Sequence, residues 1–256
     1  MESFCLLLLA VTHLGQASSQ TGVLEKRIIG GKECVANSQP WHVSLFYFDD
    51  YICGGTLISK HWVLTAAHCL KPNILMQLGE HNLEVNEGNE QFAHTAIFCP
   101  HPKYDSVTYD NDIMLLKLNA PAKLNKYVQT ISIGCPEVSS GTECTIAGWG
   151  STTSIVETYP NILHCGTVTT ETQDECQRLH SDLKITDNML CASIAGETMD
   201  TCYGDSGGSL VCNSVVHGVT SFGHTTCGTG TKPGVYTKVC KYRDWIRKTV
   251  AKGDCL

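Results

Sequence analysis

The sequence predicts an all-β fold with a short helix near the C-terminus. Apolar residues fall in short runs with partial alternation, which is typical of strands, and clusters of Gly, Asn, Asp and Pro separate the runs. The second half of the chain repeats this pattern, so two barrels fit better than one long sheet. With 256 residues, 42% of them hydrophobic, the chain can bury a large core.

The strand predictions follow the apolar runs in chain order. These runs cover residues 41–46, 62–65, 113–118, 143–149, 215–222 and 234–239. Helix is predicted in two places, because residues 172–175 form a capping box and apolar residues recur at spacings of three and four from Tyr242 to Val250. We expect an N-terminal barrel over about 28–130 and a C-terminal barrel over about 131–256.

The N-terminal segment predicts a secreted protein. Residues 4–11 are apolar and small residues follow at 17–19, which is typical of a signal peptide ending at 17 to 19, although Glu2 replaces the usual basic residue. Fifteen cysteines agree with an oxidising compartment. Removal of Cys5 with the signal leaves fourteen, whose pairing the sequence alone does not fix.

Charge and hydropathy argue against two classes of partner. The formal net charge is −7 and no basic run exceeds two residues, whereas nucleic-acid-binding proteins concentrate Lys and Arg. No stretch after the signal is long and apolar enough to span a membrane. We therefore expect neither nucleic acid nor membrane as a partner.

Residues 200–208, Asp-Thr-Cys-Tyr-Gly-Asp-Ser-Gly-Gly, contain the candidate nucleophile, Ser206. Glycines on both sides of a serine allow a tight turn that exposes its hydroxyl beside free backbone N–H groups. A glycine-rich hairpin turn is the alternative interpretation, because such turns use the same residue types.

A serine hydroxyl needs a base, and two other stretches offer one together with a carboxylate. Residues 65–69, Thr-Ala-Ala-His-Cys, supply His68, whose side-chain type suits proton transfer near neutral pH. Residues 110–116, Asp-Asn-Asp-Ile-Met-Leu-Leu, supply Asp112 and its rival Asp110. Both would point to the same side of a strand, so either could hold the imidazole.

Together these three stretches closely resemble the trypsin-like serine proteases of the chymotrypsin family, with trypsins nearest and some features of the venom and kallikrein types. The resemblance implies two six-stranded barrels and an endopeptidase that forms an acyl-enzyme. It selects Asp112 over Asp110, so the implied triad is His68, Asp112 and Ser206. The N–H groups of Gly204 and Ser206 would form the oxyanion hole.

The resemblance also implies activation by cleavage. Residues 18–27 would be an activation peptide that ends at Arg27, and the protease domain would cover 28–256. The new α-amino group of Ile28 would pair with Asp205, which lies too close to Ser206 to orient His68.

Substrate choice, by the same resemblance, depends on Asp200 at the floor of a pocket for Arg or Lys. Gly223 and Gly234 match the glycines that leave this pocket open, and Thr201 lines it beside Asp200. Four residues depart from the usual trypsin pattern, namely Thr201, Tyr203, Ser209 and Phe222. They affect fine selectivity and leave the catalytic residues in place.

Residues 80–90 crowd four carboxylates into one loop, which is repulsive unless the groups are solvated or bridged by a hard cation. A solvated acidic loop is the ordinary interpretation. The segment resembles the calcium loop of trypsins, and we expect one structural Ca²⁺ and no catalytic cofactor. The implied ligands are Glu80, Asn82, Val85, Glu87 and Glu90.

Disulfide pairing is likewise implied by the resemblance. The implied pairs are Cys34–Cys165, Cys53–Cys69, Cys135–Cys240, Cys144–Cys212, Cys176–Cys191 and Cys202–Cys227. Cys99 and Cys255 are left over, and we infer that they pair with each other, as in snake-venom serine proteases.

The leading hypothesis is a secreted monomeric zymogen that cleaves proteins after Arg or Lys and meets protein inhibitors of serine proteases. A catalytically inactive, protease-shaped binding protein is the alternative from another class. Among enzymes, a narrow-specificity protease of the venom or kallikrein type is the second alternative.

Overall fold

Thirteen strands and two α-helices lie within the residues that this computed structural model describes, which are 31–151, 159–193, 205–223 and 232–255. The strands are β1 (Lys32–Glu33), β2 (His42–Tyr47), β3 (Asp50–Ser59), β4 (Trp62–Thr65), β5 (Leu75–Leu78), β6 (Gln91–Pro100), β7 (Met114–Leu118), β8 (Glu143–Gly148), β9 (His164–Thr170), β10 (Met189–Ser193), β11 (Ser209–Cys212), β12 (Val215–Phe222) and β13 (Gly234–Lys238). The helices are α1 (Gln173–Leu179) and α2 (Arg243–Lys252), and 3₁₀ turns cover Ala67–Cys69 and Val239–Tyr242.

The N-terminal half forms a closed antiparallel barrel in the order β2, β3, β4, β7, β6, β5. Strand β4 is buried along its whole length, and β7 is buried except at Lys117, because both strands line the barrel interior. Their register pairs Thr65 with Met114. This pairing brings the residues just after β4 close to those just before β7.

The C-terminal half forms the second six-stranded barrel. Its strands follow the order β9, β10, β13, β12, β11, β8, and a β8–β9 pairing closes the ring while β1 adds to the edge of β9. The fold class predicted from the sequence is therefore confirmed.

Both predicted helices are present. The Thr172 side chain accepts a hydrogen bond from the Glu175 N–H at 3.2 Å, which is one half of the predicted capping box and caps the start of α1. The Glu175 carboxylate itself accepts hydrogen bonds from Arg178. Helix α2 buries Ile246 and Thr249 and ends at Lys252, and the next residue, Gly253, caps it with φ of 75°. No helix in the described part of the chain combines the length and the apolar character that a membrane crossing needs.

Candidate active site

His68 and Asp112 come together at one end of the N-terminal barrel. His68 lies in the 3₁₀ turn that follows β4, and Asp112 lies two residues before β7. Because β4 and β7 are antiparallel neighbours, the chain leaving β4 runs beside the chain entering β7. The imidazole Nδ1 of His68 is 2.7 Å from Oδ2 of Asp112, and the His68 backbone N–H donates to Oδ1 at 2.9 Å.

Asp112 is fully buried and is held by groups from both barrels. The Ser221 hydroxyl donates to Oδ2 of Asp112 at 2.5 Å, and the Thr237 hydroxyl donates to its backbone carbonyl at 2.8 Å. A buried carboxylate that accepts the Nδ1–H of His68 leaves Nε2 without a proton, so that nitrogen can act as a base. Sequence reasoning missed Ser221 and Thr237, because no local pattern marks a hydroxyl whose partner is more than 100 residues away.

Ser206 lies in the turn before β11, and this turn packs against the N-terminal barrel. The Gly54 N–H donates to the Ser206 carbonyl at 2.8 Å, and the Gly207 N–H donates to the Thr220 carbonyl at 2.8 Å. Gly207 has φ of 79°, and a Cβ there would lie 2.2 Å from Oγ1 of Thr65. Only glycine allows this contact, which holds the serine turn against the segment that carries His68.

A disulfide bond joins strand β3 to the segment that carries His68. Cys53 in β3 is bonded to Cys69, the residue after His68. Since β3 also carries Gly54, which bonds the serine turn, this one strand contacts both stretches. The candidate base and nucleophile therefore share a rigid support.

Asp205 is buried beneath the serine turn, with 3% of its surface exposed. Its Oδ1 accepts the Gly150 N–H at 3.0 Å, and Cβ atoms added at Gly148 and Gly150 would lie 2.1 and 2.5 Å from its carboxylate. The two glycines thus leave room for this side chain. The pKa of Tyr51 lies well above its ordinary value, mainly because the hydroxyl is buried and also because the charge of Asp205 is close to it.

Aromatic side chains line one side of the site. The Tyr109 ring lies 5.9 Å from the His68 ring and 5.4 Å from that of Phe222, and Phe222 lies 6.1 Å from His180. His180 donates from Nε2 to the Pro233 carbonyl at 2.9 Å. Phe222 was identified as a departure from the trypsin pattern, whereas Tyr109 and His180 carry no sequence signal of their own.

Part of the implied specificity pocket lies within the described residues. Gly223 is exposed at the end of β12, and Gly234 is buried at the start of β13, where it pairs with Ala192. The other predicted residues for specificity, activation and oxyanion binding fall outside the described residues. These are Arg27, Ile28, Asp200, Thr201, Tyr203 and Gly204, together with the implied Cys202–Cys227 pair.

The acidic loop brings three of its glutamates together. Oxygen atoms of Glu80, Glu87 and Glu90 lie within 4.8 Å of one another. Oε1 of Glu80 is buried without a hydrogen-bond partner among the described residues, and burial together with the charge of Glu90 raises the pKa of Glu80 to about 7. A cluster of oxygen ligands with an unsatisfied buried carboxylate fits a hard divalent cation. Asn82 and Val85 lie in the same loop, where the Val85 N–H donates to the Asn82 carbonyl at 3.0 Å.

Six disulfides are present in the described part of the chain. They join Cys34–Cys165, Cys53–Cys69, Cys99–Cys255, Cys135–Cys240, Cys144–Cys212 and Cys176–Cys191. Five of these pairs are the ones that the family resemblance implied, and the sixth, Cys99–Cys255, is the pair inferred from the two cysteines left over. That bond ties the residues after α2 to β6 in the N-terminal barrel.

Comparison with known proteins gives one family. A sequence model of the Trypsin family matches residues 28–246. The chain is 46% identical over 244 residues to putative trypsin-6 of Homo sapiens, covering 95% of this chain and 98% of that protein. It is 45% identical over 230 residues to kallikrein-11 of Mus musculus, covering 88% and 83% respectively. The structure of neuropsin, a serine protease expressed in the limbic system of mouse brain, matches with a TM-score of 0.82 at 42% identity, over 86% of this chain and 98% of that one.

Proposed function

The chain belongs to the trypsin family and is a trypsin-like serine endopeptidase, and we propose that it is secreted as a zymogen and cleaves proteins after Arg or Lys. The observation that carries the proposed chemistry is the buried Asp112 carboxylate, 2.7 Å from Nδ1 of His68. The Ser206 carbonyl accepts the N–H of Gly54, whose neighbour Cys53 is bonded to Cys69 next to His68. We expect a monomer that meets protein substrates and protein inhibitors of serine proteases.

In the proposed reaction, His68 takes the proton from the Ser206 hydroxyl as the serine oxygen attacks the scissile carbonyl carbon. Asp112 keeps the other imidazole proton on Nδ1 and stabilises the imidazolium. The N–H groups of Gly204 and Ser206 stabilise the oxyanion of the tetrahedral intermediate. His68 then protonates the leaving amine, and the acyl group stays on Ser206. Water takes the place of the amine, and His68 accepts a proton from it as the water oxygen attacks the acyl carbon. His68 finally returns that proton to the leaving Ser206 oxygen, which frees the carboxylic acid product.

Activation depends on Asp205. Cleavage after Arg27 would free the α-amino group of Ile28 to pair with this carboxylate. The carboxylate is already buried directly before Ser206, so a charge gained at this position acts on the backbone that presents the nucleophile. The uncut chain lacks that amine and would be inactive.

Specificity for basic side chains depends on Asp200. A carboxylate at the pocket floor stabilises a substrate guanidinium or ammonium and penalises an apolar side chain, which would leave the charge unpaired. Asp200→Ser should lower kcat/KM for Arg and Lys peptides by about 100-fold or more, since breaking a buried ion pair costs about 3 to 5 kcal/mol.

The experiment for this proposal compares Arg, Lys, Phe and Leu peptides with the activated wild type and the Asp200→Ser variant. A small fluorophosphonate reagent, which does not need the basic pocket, should label both proteins at Ser206. Equal wild-type kcat/KM for basic and apolar peptides would refute the assignment of Asp200.

A narrower protease of the kallikrein type is the second candidate function. The observation that favours it is the contact of Tyr109 with both His68 and Phe222, which narrows the cleft beside the catalytic groups. A positional peptide library distinguishes the two candidates. A broad tryptic enzyme accepts most residues beside the basic one, whereas a narrow enzyme accepts few.

A further inference from the structure

Asp110 lies two residues before Asp112, but its carboxylate binds the other barrel. Oδ1 of Asp110 accepts the Thr186 hydroxyl at 2.7 Å and the Asn188 amide at 2.9 Å. Thr186 and Asn188 lie directly before β10 of the C-terminal barrel. Asp110, a candidate partner of His68 from the sequence alone, therefore links the two barrels.

The turn around Asp110 has an unusual backbone. Tyr109 and Asn111 have φ of 56° and 57°, in the left-handed region that L-residues rarely adopt. Asparagine tolerates this conformation, but tyrosine does so at a cost in free energy. The turn therefore needs contacts that hold it in place.

Hydrogen bonds on both sides of Asp110 supply these contacts. The Asn111 amide donates to Oδ2 of Asp110 at 3.0 Å and to the Lys103 carbonyl at 3.0 Å. The Tyr242 hydroxyl donates to Oδ1 of Asn111 at 3.1 Å. Together these bonds fix the segment that leads into Asp112.

The position of this link matters because the catalytic groups come from different barrels. His68 and Asp112 belong to the N-terminal barrel, whereas Ser206 precedes β11 of the C-terminal barrel. Proton transfer between His68 and Ser206 depends on hydrogen-bond geometry, which a small shift between the barrels would disturb. The same turn also sets the Tyr109 ring against His68.

We propose that Asp110 is a positioning residue for catalysis, because it fastens the turn that carries Asp112 to the C-terminal barrel. This inference rests on the proposed roles of His68, Asp112 and Ser206. Asp110 acts through geometry and not through its charge.

Two substitutions separate geometry from charge. Asp110→Ala removes the link. Asp110→Asn keeps an oxygen for Thr186 and Asn188, while its amide nitrogen would face the Asn111 amide, so one local bond is lost and the link between the barrels remains. Thr186→Val combined with Asn188→Ala breaks the link from the opposite side.

Asp105→Asn is the matched control. The Asp105 side chain is exposed in the same segment, and its Oδ1 accepts the Val107 N–H at 2.8 Å and the Thr108 N–H at 3.3 Å. This variant removes one negative charge near Asp110 without touching the link. It should behave like the wild type.

The experiment measures kcat, KM and the affinity for a benzamidine-like cation at a temperature well below the melting point of every variant. We expect Asp110→Ala to lower kcat about tenfold, with KM and cation affinity unchanged. Asp110→Asn should recover most of the loss. The Thr186→Val, Asn188→Ala double variant should match Asp110→Ala and add little to it, because both routes remove the two hydrogen bonds that join the barrels at Asp110.

Three results would overturn the proposal. The first is a wild-type kcat in Asp110→Ala, and the second is an Asp110→Asn variant as slow as Asp110→Ala, which would indicate a role of charge. The third is equal loss of kcat and cation affinity, which would indicate general damage to the fold.

Failure of the proposed function is distinguishable from failure of the link. A correctly cleaved wild type without turnover would refute the function. The link is then tested by the proton NMR signal of the His68 Nδ1–H, which should shift or broaden in Asp110→Ala and stay unchanged in Asp105→Asn. An unchanged signal in Asp110→Ala would refute the link itself.

Discussion

At the scale of single residues, the Asp112 side chain is held by several hydrogen-bond donors. Its carboxylate accepts the His68 imidazole, the His68 backbone N–H and the Ser221 hydroxyl. A buried carboxylate with this many donors keeps one position. The Ser221 bond is the one that a single substitution removes without altering the proposed catalytic residues.

We expect Ser221→Ala to lower kcat about tenfold, because a hydrogen bond to a charged group contributes about 1.5 to 3 kcal/mol and only part of this bears on the alignment of His68. Initial rates on an Arg peptide provide the measurement. Ser193→Ala is the matched control, since the Ser193 hydroxyl donates at 2.7 Å to the Glu171 carboxylate and not to Asp112. Equal rates for Ser221→Ala and the wild type would mean that Ser221 does not help to orient Asp112.

His42 is a buried residue that the proposed chemistry does not use. Its ring packs 5.3 Å from Trp149, and neither ring nitrogen has a hydrogen-bond partner among the described residues. Burial lowers the pKa of His42 from 6.5 to about 4. Between pH 6.5 and about 4, His42 therefore binds a proton in the unfolded chain but not in the folded chain. The contribution of His42 to the free energy of unfolding is complete above pH 6.5 and is lost as the pH falls towards 4.

We expect the free energy of unfolding to fall by up to about 3 kcal/mol from this group between pH 7 and pH 4. His42→Phe should reduce that fall, whereas His94→Phe, at an exposed position, should not. Denaturant unfolding at several pH values, in a Ser206→Ala background that prevents self-digestion, measures the difference. If the free energy of unfolding falls equally with pH in the His42 and His42→Phe chains, this pH dependence does not come from His42.

At the scale of elements, apolar runs predict some strands but not β6. The runs at 62–65 and 215–222 coincide with β4 and β12, because those strands are rich in apolar residues. Strand β6 was not predicted. It leaves Phe92 62% exposed and alternates weakly between buried and exposed residues, so the pairing with β5 and β7 is what defines it.

A metal titration distinguishes the two interpretations of the loop at 80–90, a calcium site or a solvated acidic loop. Glu80, Glu87 and Glu90 repel one another, and a bound Ca²⁺ would remove that repulsion. We expect millimolar Ca²⁺ to raise the melting temperature while initial rates stay nearly unchanged. Replacing Glu80 and Glu90 together by Gln should abolish this shift. A wild type that melts at the same temperature with Ca²⁺ and with chelator would make the loop an ordinary solvated one.

At the scale of the whole molecule, short motifs identify the proposed reacting groups but not the hydrogen bonds that hold them. His68, Asp112 and Ser206 stand in short motifs that the sequence displays. Thr237 and Ser221 reach Asp112 from strands more than 100 residues away, and Asp110 meets Thr186 across the barrel interface. Such contacts depend on how the two closed barrels pack, which neither apolar periodicity nor a motif encodes.

We expect cleavage after Arg27 to create a serine endopeptidase whose nucleophile is Ser206. Fluorophosphonate labelling before and after cleavage, with the modified residue located by mass spectrometry, tests it most directly. We expect strong labelling of Ser206 in the cleaved chain, weak labelling in the uncut Arg27→Gln variant, and none in Ser206→Ala. A correctly cleaved, folded chain that binds a benzamidine-like cation but resists labelling at Ser206 would contradict this expectation and favour the inactive, protease-shaped binding protein.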